Sequence, residues 1–240
     1  MQVGTVLSLP GAALAELAGT ALDLAWIDLE HGALGLGDAQ AMAVGLAAAG
    51  CESHVRLPDA STDRLAAIVD CGVDGVVAPR VESPDTAREL IARLRYPPAG
   101  SRGFGPRRAG RYGRTPGFWS VPENRVACTI QIESAAGVAA ARGIAAVDGV
   151  DALVVGCSDL SIDLDVPQNL DARPLRAAVA AVAEAAAAAG VRFGLAASGD
   201  PERVASLAAG RADVIVYSAD SRLYAAAVDA AVLALEAGHA

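Results

Sequence analysis

Short apolar segments of strand length alternate along the chain with alanine- and leucine-rich segments of helical length. The predicted strands cover residues 3–9, 22–29, 53–57, 75–78, 126–132, 152–156, 192–196 and 214–217. The first four predicted helices cover residues 11–19, 35–49, 61–70 and 84–94. Alanine-rich helices follow the fifth and sixth strands, and a last helix runs to about residue 236. About eight β/α units in 240 residues predict a single-domain TIM (β/α)8 barrel over residues 1–240.

A doubly wound parallel sheet is the alternative architecture, since it also alternates strands and helices. No G-x-G-x-x-G motif follows the first strand, so nothing supports a dinucleotide-binding fold. Residues 96–122 interrupt the alternation with a segment rich in glycine, proline and arginine. A segment of this length is either functional or disordered. Its arginines, with Phe118 and Trp119, favour an ordered loop over the barrel mouth or at a subunit contact.

Composition excludes several classes of protein. The chain contains no lysine, and all 19 basic residues are arginines, which excludes a Schiff-base lysine and a P-loop lysine. The net charge of −9 argues against nucleic acid or an anionic membrane as a partner. Four cysteines without C-x-x-C spacing fit reduced thiols, and the start of the chain has no basic segment typical of a signal peptide. No apolar run is long enough for a membrane span, so we expect a cytoplasmic enzyme.

Polar residues stand where five consecutive strands end. They are Asp28, Glu30 and His31 after the second strand, Arg56 after the third, Arg80 after the fourth, Glu133 after the fifth and Asp159 after the sixth. Active sites of TIM barrels lie at this carboxyl-terminal end of the strands. Strand ends are commonly polar, but five in succession indicate a site.

Glu133 and Asp159 are the predicted metal ligands. Two carboxylates after neighbouring strands suit Mg²⁺, Mn²⁺ or a similar hard cation better than zinc, and they leave positions for water and a bidentate substrate. The alternative interpretation is that both residues only cap the helices that follow them. From the residues alone, the two interpretations are equally good.

Arg56 and His31 are candidates for binding and proton transfer. A planar guanidinium suits a carboxylate or a developing enolate oxygen, although most arginines form surface or interface ion pairs. An imidazole beside carboxylates can act as a general base, although a single histidine is more often structural. The location of both residues at strand ends favours function. His54 and His239 are interpreted as incidental.

Several segments together resemble the HpcH/HpaI aldolase/citrate lyase family of metal-dependent (class II) pyruvate aldolases. They read LAWIDLEHG, VRLP, VDCGVDGVVAPRVES, RYPPAGSRGFGP, IQIES and VDGVDALVVGCSDLS, and they extend from residue 22 to residue 161. The combination is specific, whereas no single segment is. The family fold is a modified TIM barrel of the type that binds phosphoenolpyruvate or pyruvate.

The resemblance implies roles for individual residues. Glu133 and Asp159 match the metal ligands, and Arg56 matches the arginine that contacts the pyruvate ketone. His31 matches the histidine of proton transfer, and Asp70 matches the acid that pairs with it through water. The remaining matches are to the substrate pocket and to the turn whose N–H groups hold the pyruvate carboxylate: Gln131, Gly156, Cys157 and Ser158.

The activity implied by the resemblance is aldol cleavage, or the reverse condensation, of a 4-hydroxy-2-keto acid. The products of cleavage are pyruvate, or a related 2-keto acid, and an aldehyde. A divalent cation (Mg²⁺, Mn²⁺ or Co²⁺) is the implied cofactor, with no organic cofactor, which agrees with the absence of lysine. The same site also suits oxaloacetate decarboxylation or another enolate-forming carbon–carbon lyase or synthase. A non-catalytic barrel that binds 2-keto acids is the third interpretation.

The sequence departs from the family pattern in three places. Cys157 and Ser158 replace the usual Pro and its neighbour before Asp159, so we expect Cys157 to lie against the keto acid. The sequence after Ser161 lacks the usual glycine, and the chain lacks the usual leading helix. Family members are commonly hexamers, or trimers of dimers, that exchange their last helices, and residues 223–235 are apolar enough for such a contact in a homo-oligomer.

Overall fold

Eight parallel strands close into one barrel, and they pair in the order in which they occur along the chain. This is a computed structural model, and it describes residues 1–105, 107–120 and 125–237. The strands are β1 (Gln2–Leu7), β2 (Leu24–Asp28), β3 (Glu52–Arg56), β4 (Gly75–Ala78), β5 (Ala127–Ile132), β6 (Ala152–Gly156), β7 (Arg192–Ala197) and β8 (Val214–Ala219). The closed barrel confirms the predicted TIM fold and excludes a doubly wound sheet, which stays open.

Nine helices surround the barrel in the described part of the chain. They are α1 (Ala12–Gly19), α2 (Leu36–Ala49), α3 (Leu65–Asp70), α4 (Pro84–Leu94), α5 (Ala135–Ala145), α6 (Cys157–Asp163), α7 (Arg173–Ala189), α8 (Pro201–Ala208) and α9 (Asp220–Ala237). Strands β4 and β6 and helix α4 have the predicted bounds, and most other elements differ by a few residues at their ends. The short helix α6, which begins directly after β6, was not predicted because its seven residues show no clear helical period.

The period-two alternation along the strands separates side chains that face the barrel interior from side chains that face the helices. Trp26 and Val154 belong to a small apolar cluster inside the barrel, separate from the large core between strands and helices. Two residues further along β2, Asp28 points to the same interior face. The lower interior is therefore filled by apolar side chains, and polar side chains gather at the carboxyl-terminal end.

The described residues of the segment 96–122 do not cover the barrel mouth, which corrects that expectation, whereas the subunit contact stays a prediction. The segment connects α4 to β5, so in a parallel barrel it lies at the amino-terminal end of the strands. Within it, Arg108 Nη1 donates to the carbonyl oxygens of Cys71 and Gly72, just before β4. Residues 108–113 and 118–120 form short 3-10 turns, whereas residues 106, 121 and 122 lie outside the described part.

Candidate active site

A cavity of about 430 Å³ opens at the carboxyl-terminal end of the barrel. Its lining comes from both sides of the barrel: Val6, Ser8, Asp28, His31, Arg56, Gln131, Gly156, Ser158, Asp159, Gln168, Ala196, Ala197, Ser198, Val216, Ser218, Ala219, Ser221 and Arg222. A larger cavity of about 750 Å³ lies at the opposite end, beside residues 102–118. That cavity contains several arginines but none of the predicted site residues, so the smaller cavity is the candidate active site.

Arg56 and Asp28 form a buried bidentate ion pair on neighbouring strands. Arg56 Nε donates to Asp28 Oδ1 over 2.9 Å, and Arg56 Nη2 donates to Asp28 Oδ2 over 2.7 Å. Burial opposes ionisation of Asp28, but the hydrogen bond and the charge of Arg56 outweigh it, and the pKa of Asp28 is lowered. Arg56 Nη1 also lies 3.3 Å from Glu30 Oε2. The guanidinium is therefore fixed in orientation by two acids: Asp28, the last residue of β2, and Glu30, just after that strand.

Glu133 follows β5, and only 5% of the residue is exposed. Its Oε1 accepts a hydrogen bond from the backbone N–H of Arg80 over 2.8 Å, and its Oε2 accepts one from Gln131 Nε2 over 2.5 Å. Burial, followed by the negative charges of Glu30 and Asp159, raises the pKa of Glu133 to about 7. The two hydrogen bonds therefore fix the Glu133 carboxyl group in position. The raised pKa means that the positive charge nearby does not offset burial and the two neighbouring acids, so the ionised form is disfavoured.

Asp159 lies in the first turn of α6, and 39% of its side chain is exposed. Arg80 links it to Glu133, because Arg80 Nη2 lies 3.7 Å from Asp159 Oδ1 while the Arg80 amide binds Glu133. Helix α5 is capped by Ser134, whose hydroxyl accepts from the Gly137 amide. Glu133 is thus not a helix cap, which excludes the alternative interpretation for that residue.

Gly156, at the end of β6, leaves room for the side chains of Gln131 and Glu133. A Cβ atom on Gly156 would lie 2.7 Å from Gln131 Nε2 and 2.8 Å from Glu133 Oε2. Real Cβ atoms do not approach neighbours so closely, so glycine is required for the observed positions of both side chains. The chain then turns directly into α6, and Ser158 reaches the cavity lining.

The thiol of Cys157 points away from the cavity. Cys157 is 1% exposed, lies in the large core between strands and helices, and its Sγ donates weakly to the Val155 carbonyl at 3.7 Å. Burial raises the pKa of this thiol to about 12. The expectation that the Cys157 side chain lies against the keto acid is therefore wrong, because position 157 begins a helix and its side chain faces the core.

His31 lines the cavity mouth, but Asp70 does not join it. The His31 side chain is 62% exposed, with Nε2 3.7 Å from Glu30 Oε1. Asp70 ends α3, which runs back toward the amino-terminal end of the barrel, and its Oδ1 accepts from Arg102 Nη2 over 2.7 Å. The water-mediated pair of His31 and Asp70 is therefore not formed within this chain.

Of the other two histidines, the structure describes only His54, which lies outside the site. His54 is buried on β3, with Nε2 3.4 Å from Glu52 Oε2 near the start of the strand. His239 lies outside the described residues. The side of the cavity formed by the ends of β7 and β8 was missed in the sequence analysis. Its signal was a group of polar residues at the end of β8 and directly after it, namely Ser218, Ser221 and Arg222.

The donor set fits a hard divalent cation. Two carboxylates, Glu133 directly after β5 and Asp159 in the first turn of α6, follow neighbouring strands, and the pKa of Glu133 is raised by burial and then by the negative charges of Glu30 and Asp159. Gln131 Oε1 is buried and has no hydrogen-bond partner in the described structure. No group of three or more histidine, cysteine or acidic side chains arranged for a metal is found among the described residues. Mg²⁺ is commonly bound through one or two protein carboxylates, with water and substrate completing the coordination, so two are sufficient.

Comparison with known proteins identifies the family. Residues 6–227 match the HpcH/HpaI aldolase/citrate lyase family. A 4-hydroxy-2-oxovalerate aldolase of Rhodococcus jostii is 36% identical over 171 residues, which are 70% of this chain and 66% of that protein. The match thus spans just under two thirds of that relative. A 2-keto-3-deoxy-L-rhamnonate aldolase of Klebsiella pneumoniae is 29% identical over 231 residues, 95% of this chain and 86% of the relative.

Solved structures agree with this assignment. A crystal structure of an HpcH/HpaI aldolase/citrate lyase family protein from Burkholderia cenocepacia has a TM-score of 0.91 and 30% identity to this chain. The superposition covers 98% of this chain and 94% of that one. The chain belongs to the HpcH/HpaI aldolase/citrate lyase family.

Proposed function

We propose that the protein is a metal-dependent aldolase, a carbon–carbon lyase that cleaves a 4-hydroxy-2-keto acid to pyruvate, or a related 2-keto acid, and an aldehyde. The observation that carries this proposal is the buried Glu133 carboxylate, which lies near Glu30 and Asp159 and has its pKa raised to about 7. Such a cluster binds a divalent cation favourably, because the cation offsets the repulsion among the carboxylates. The family membership and the names of the relatives support the same reaction.

Glu133 and Asp159 are the residues that would hold Mg²⁺, Mn²⁺ or Co²⁺. Bound there, such a cation supplies Lewis-acid polarisation of a 2-keto acid. The guanidinium of Arg56, held in place by Asp28, puts its positive charge beside the ketone oxygen and stabilises the enolate that remains after cleavage. Gln131 contacts the keto acid from β5, and the backbone N–H groups of residues 156–158 face its carboxylate.

His31 is the proposed base for proton transfer. It accepts the proton of the 4-hydroxyl group, the C3–C4 bond breaks, and its electron pair forms the enolate of the 2-keto acid while the aldehyde leaves. Its exposed position at the mouth, 3.7 Å from Glu30, permits exchange of the proton with water. Asp70 forms an ion pair with Arg102 at the other end of the barrel, so we assign Asp70 a structural rather than a catalytic role within one chain.

Enolisation is the partial reaction that tests the proposal directly. We expect the purified protein with Mg²⁺, Mn²⁺ or Co²⁺ to catalyse deuterium exchange into the pyruvate methyl group, to lose this activity with a chelator and to regain it on adding metal. Glu133→Gln and Asp159→Asn should each abolish exchange, whereas Asp148→Asn, an exposed acid distant from the site, serves as the matched control. Full exchange by chelated protein would contradict the proposal.

Assays with different substrates distinguish aldol cleavage from other reactions of the same enolate. Oxaloacetate decarboxylation, or another carbon–carbon lyase or synthase reaction, would give exchange with pyruvate but no condensation with any of a panel of aldehydes. A barrel that only binds 2-keto acids would show binding without exchange. Borohydride with pyruvate should trap no adduct, since the chain contains no lysine.

We also propose a homo-oligomer, a hexamer or trimer of dimers by family resemblance. Helix α9 supports association because its residues are exposed almost throughout, including Tyr224 at 71%, Val228 at 42% and Val232 at 46%. An exposed apolar helix of this length is unusual on a monomer surface.

Among the described helices, none is long and apolar enough to cross a membrane.

A further inference from the structure

The two sides of the active-site cavity differ in chemistry. The side formed by β2, β3, β5 and β6 contains the acids and Arg56. The other side, formed by β7, β8 and β1, contains small and hydroxyl-bearing residues with one charged side chain: Val6, Ser8, Ala196, Ala197, Ser198, Val216, Ser218, Ala219, Ser221 and Arg222. A keto acid held by the first side would direct the rest of the substrate toward the second. That second side would therefore face the part of the substrate that leaves as the aldehyde.

Arg222 is the charged residue of that second side. The other arginine of the lining, Arg56, is engaged by Asp28 and Glu30. Within the described part of the chain, no carboxylate forms an ion pair with Arg222, and the residue is exposed. An unpaired guanidinium at the mouth of a cavity presents a planar set of donors that suits an anionic group.

The backbone that carries Arg222 is fixed, although the rest of α9 is exposed. Asp220 begins the helix, is 7% exposed, and accepts hydrogen bonds from the amides of Ser8 and Leu9 at 3.0 and 2.9 Å. The Ser8 hydroxyl donates to the same carboxylate over 2.7 Å. These bonds join the end of β1 to the first turn of α9. Arg222, two residues further on, is thereby held at the rim of the cavity.

Strained backbone occurs in the cavity lining, and one of its two residues, Ser218, belongs to the second side. Ser218 has a φ of 58° and Gln168 has a φ of 59°, and both line the cavity. The pairing of β1 with β8 shifts register between Gly4 and Val6, next to this point. Left-handed conformations of non-glycine residues cost free energy and are concentrated where function requires them. Here the irregular end of β8 sets the direction in which α9 leaves the barrel.

We propose that Arg222 binds an anionic group at the far end of the acceptor aldehyde, so that the enzyme prefers aldehydes carrying a carboxylate or phosphate over neutral ones. This inference rests on the proposed aldolase function and specifies its substrate class. The hydroxyl groups of Ser198, Ser218 and Ser221 accompany Arg222 and suit the polar chain between the carbonyl and the anionic group. The net charge of −9 on the protein makes a single local cation important for attracting such a substrate.

The test compares aldehydes that differ only in charge, each condensed with pyruvate in the metal-loaded enzyme. Succinic semialdehyde is paired with its methyl ester, and glyceraldehyde 3-phosphate is paired with glyceraldehyde. We expect kcat/KM to favour at least one anionic aldehyde over its neutral partner by about tenfold or more, the effect of one charge-assisted hydrogen bond. The two pairs distinguish a carboxylate from a phosphate as the group recognised.

Arg222→Gln should remove this preference, and Arg222→Lys should keep part of it. Arg211→Gln, an exposed arginine before β8 at the opposite end of the barrel, is the matched control and should leave the preference intact. The preference should also decrease as salt is added, since Arg222 is exposed. Equal kcat/KM for charged and neutral aldehydes in the wild type, or an unchanged preference in Arg222→Gln, would overturn the inference.

Deuterium exchange into pyruvate, measured on the wild-type enzyme without aldehyde, distinguishes a failure of the inference about Arg222 from a failure of the proposed aldolase function. If exchange occurs but no charge preference is found, only the inference about Arg222 is overturned. If exchange is absent in metal-loaded enzyme, the proposed function fails and the inference about its substrate fails with it.

Discussion

The backbone amide of Arg80 donates to the Glu133 carboxylate over 2.8 Å, and it does so from a left-handed conformation with a φ of 52°. An arginine in that conformation costs about 1 kcal/mol relative to glycine. The conformation turns the amide at the end of β4 toward β5, where Glu133 begins the next connection. The strain is thus located where it orients a predicted metal ligand.

Arg80→Gly should preserve this hydrogen bond while relieving the strain. We expect the free energy of unfolding to be unchanged or raised by up to about 1 kcal/mol, since glycine adopts positive φ readily. Arg80→Val should lower it by about 1–2 kcal/mol, because a β-branched residue tolerates this conformation poorly. Both variants lose the guanidinium near Asp159, so their difference in chemical denaturation isolates the backbone. Equal stability of the two would contradict the prediction.

Gly156→Ala should inactivate the enzyme with little global unfolding. The added methyl group would lie 2.7–2.8 Å from Gln131 Nε2 and Glu133 Oε2, so one or both side chains must move. We expect the rate of pyruvate deuterium exchange to fall by about 100-fold or more, as small displacements of catalytic groups are costly. Gly37→Ala, in α2, is the control, since a Cβ there has no neighbour within 4 Å. That variant should keep full activity.

The barrel and the gathering of polar residues at its carboxyl-terminal end were predictable from the sequence because both depend on local patterns. Glu133 and Asp159 could be paired because consecutive parallel strands end side by side. The position of Asp70 was missed although the predicted helix over residues 61–70 ends there, because its role was taken from the family resemblance and not from the topology, which places the end of α3 at the amino-terminal end of the barrel. Likewise, Cys157 follows a strand directly, and only the unexpected start of α6 shows that its thiol faces the core.

Arg56→Met should destabilise the protein in a pH-dependent manner. It leaves Asp28 buried without its cation, which costs about 3–5 kcal/mol at pH 7. The pKa of Asp28 is lowered in the folded wild type, so the stabilisation is fully present above the ordinary pKa and is lost as pH falls through the lowered value. In the variant, burial without Arg56 raises the pKa of Asp28, so the stability difference between wild type and Arg56→Met should shrink as pH falls and Asp28 becomes protonated in the variant before it does in the wild type.

Denaturation curves from pH 3 to pH 8 would measure this difference, with Asp28→Asn/Arg56→Met as the control that removes both charges. The double variant should recover part of the lost stability at pH 7, because it no longer buries an unpaired carboxylate. A difference between wild type and Arg56→Met that stays constant over this range would show that the ion pair is not its source.

The Cys157 thiol should be unreactive in the folded enzyme. Burial raises its pKa to about 12, so almost no thiolate is present at pH 8, and the thiol is also covered by the core. Iodoacetamide at pH 8 should leave Cys157 unmodified in native protein and modify it in urea, as measured by mass spectrometry of peptides. Rapid native labelling that is slowed by pyruvate would instead place the thiol in the cavity.

Helix α9 should mediate the association of subunits through the apolar stripe formed by Tyr224, Val228 and Val232. These positions are four residues apart and lie on one helix face. Val228→Asp with Val232→Asp would place two charges in that contact, and we expect a smaller particle by light scattering coupled to size-exclusion chromatography. Ala226→Asp, on another face of α9, is the matched control and should keep the wild-type assembly. A wild-type protein that runs as a monomer, or a double variant with unchanged mass, would exclude this stripe as the contact.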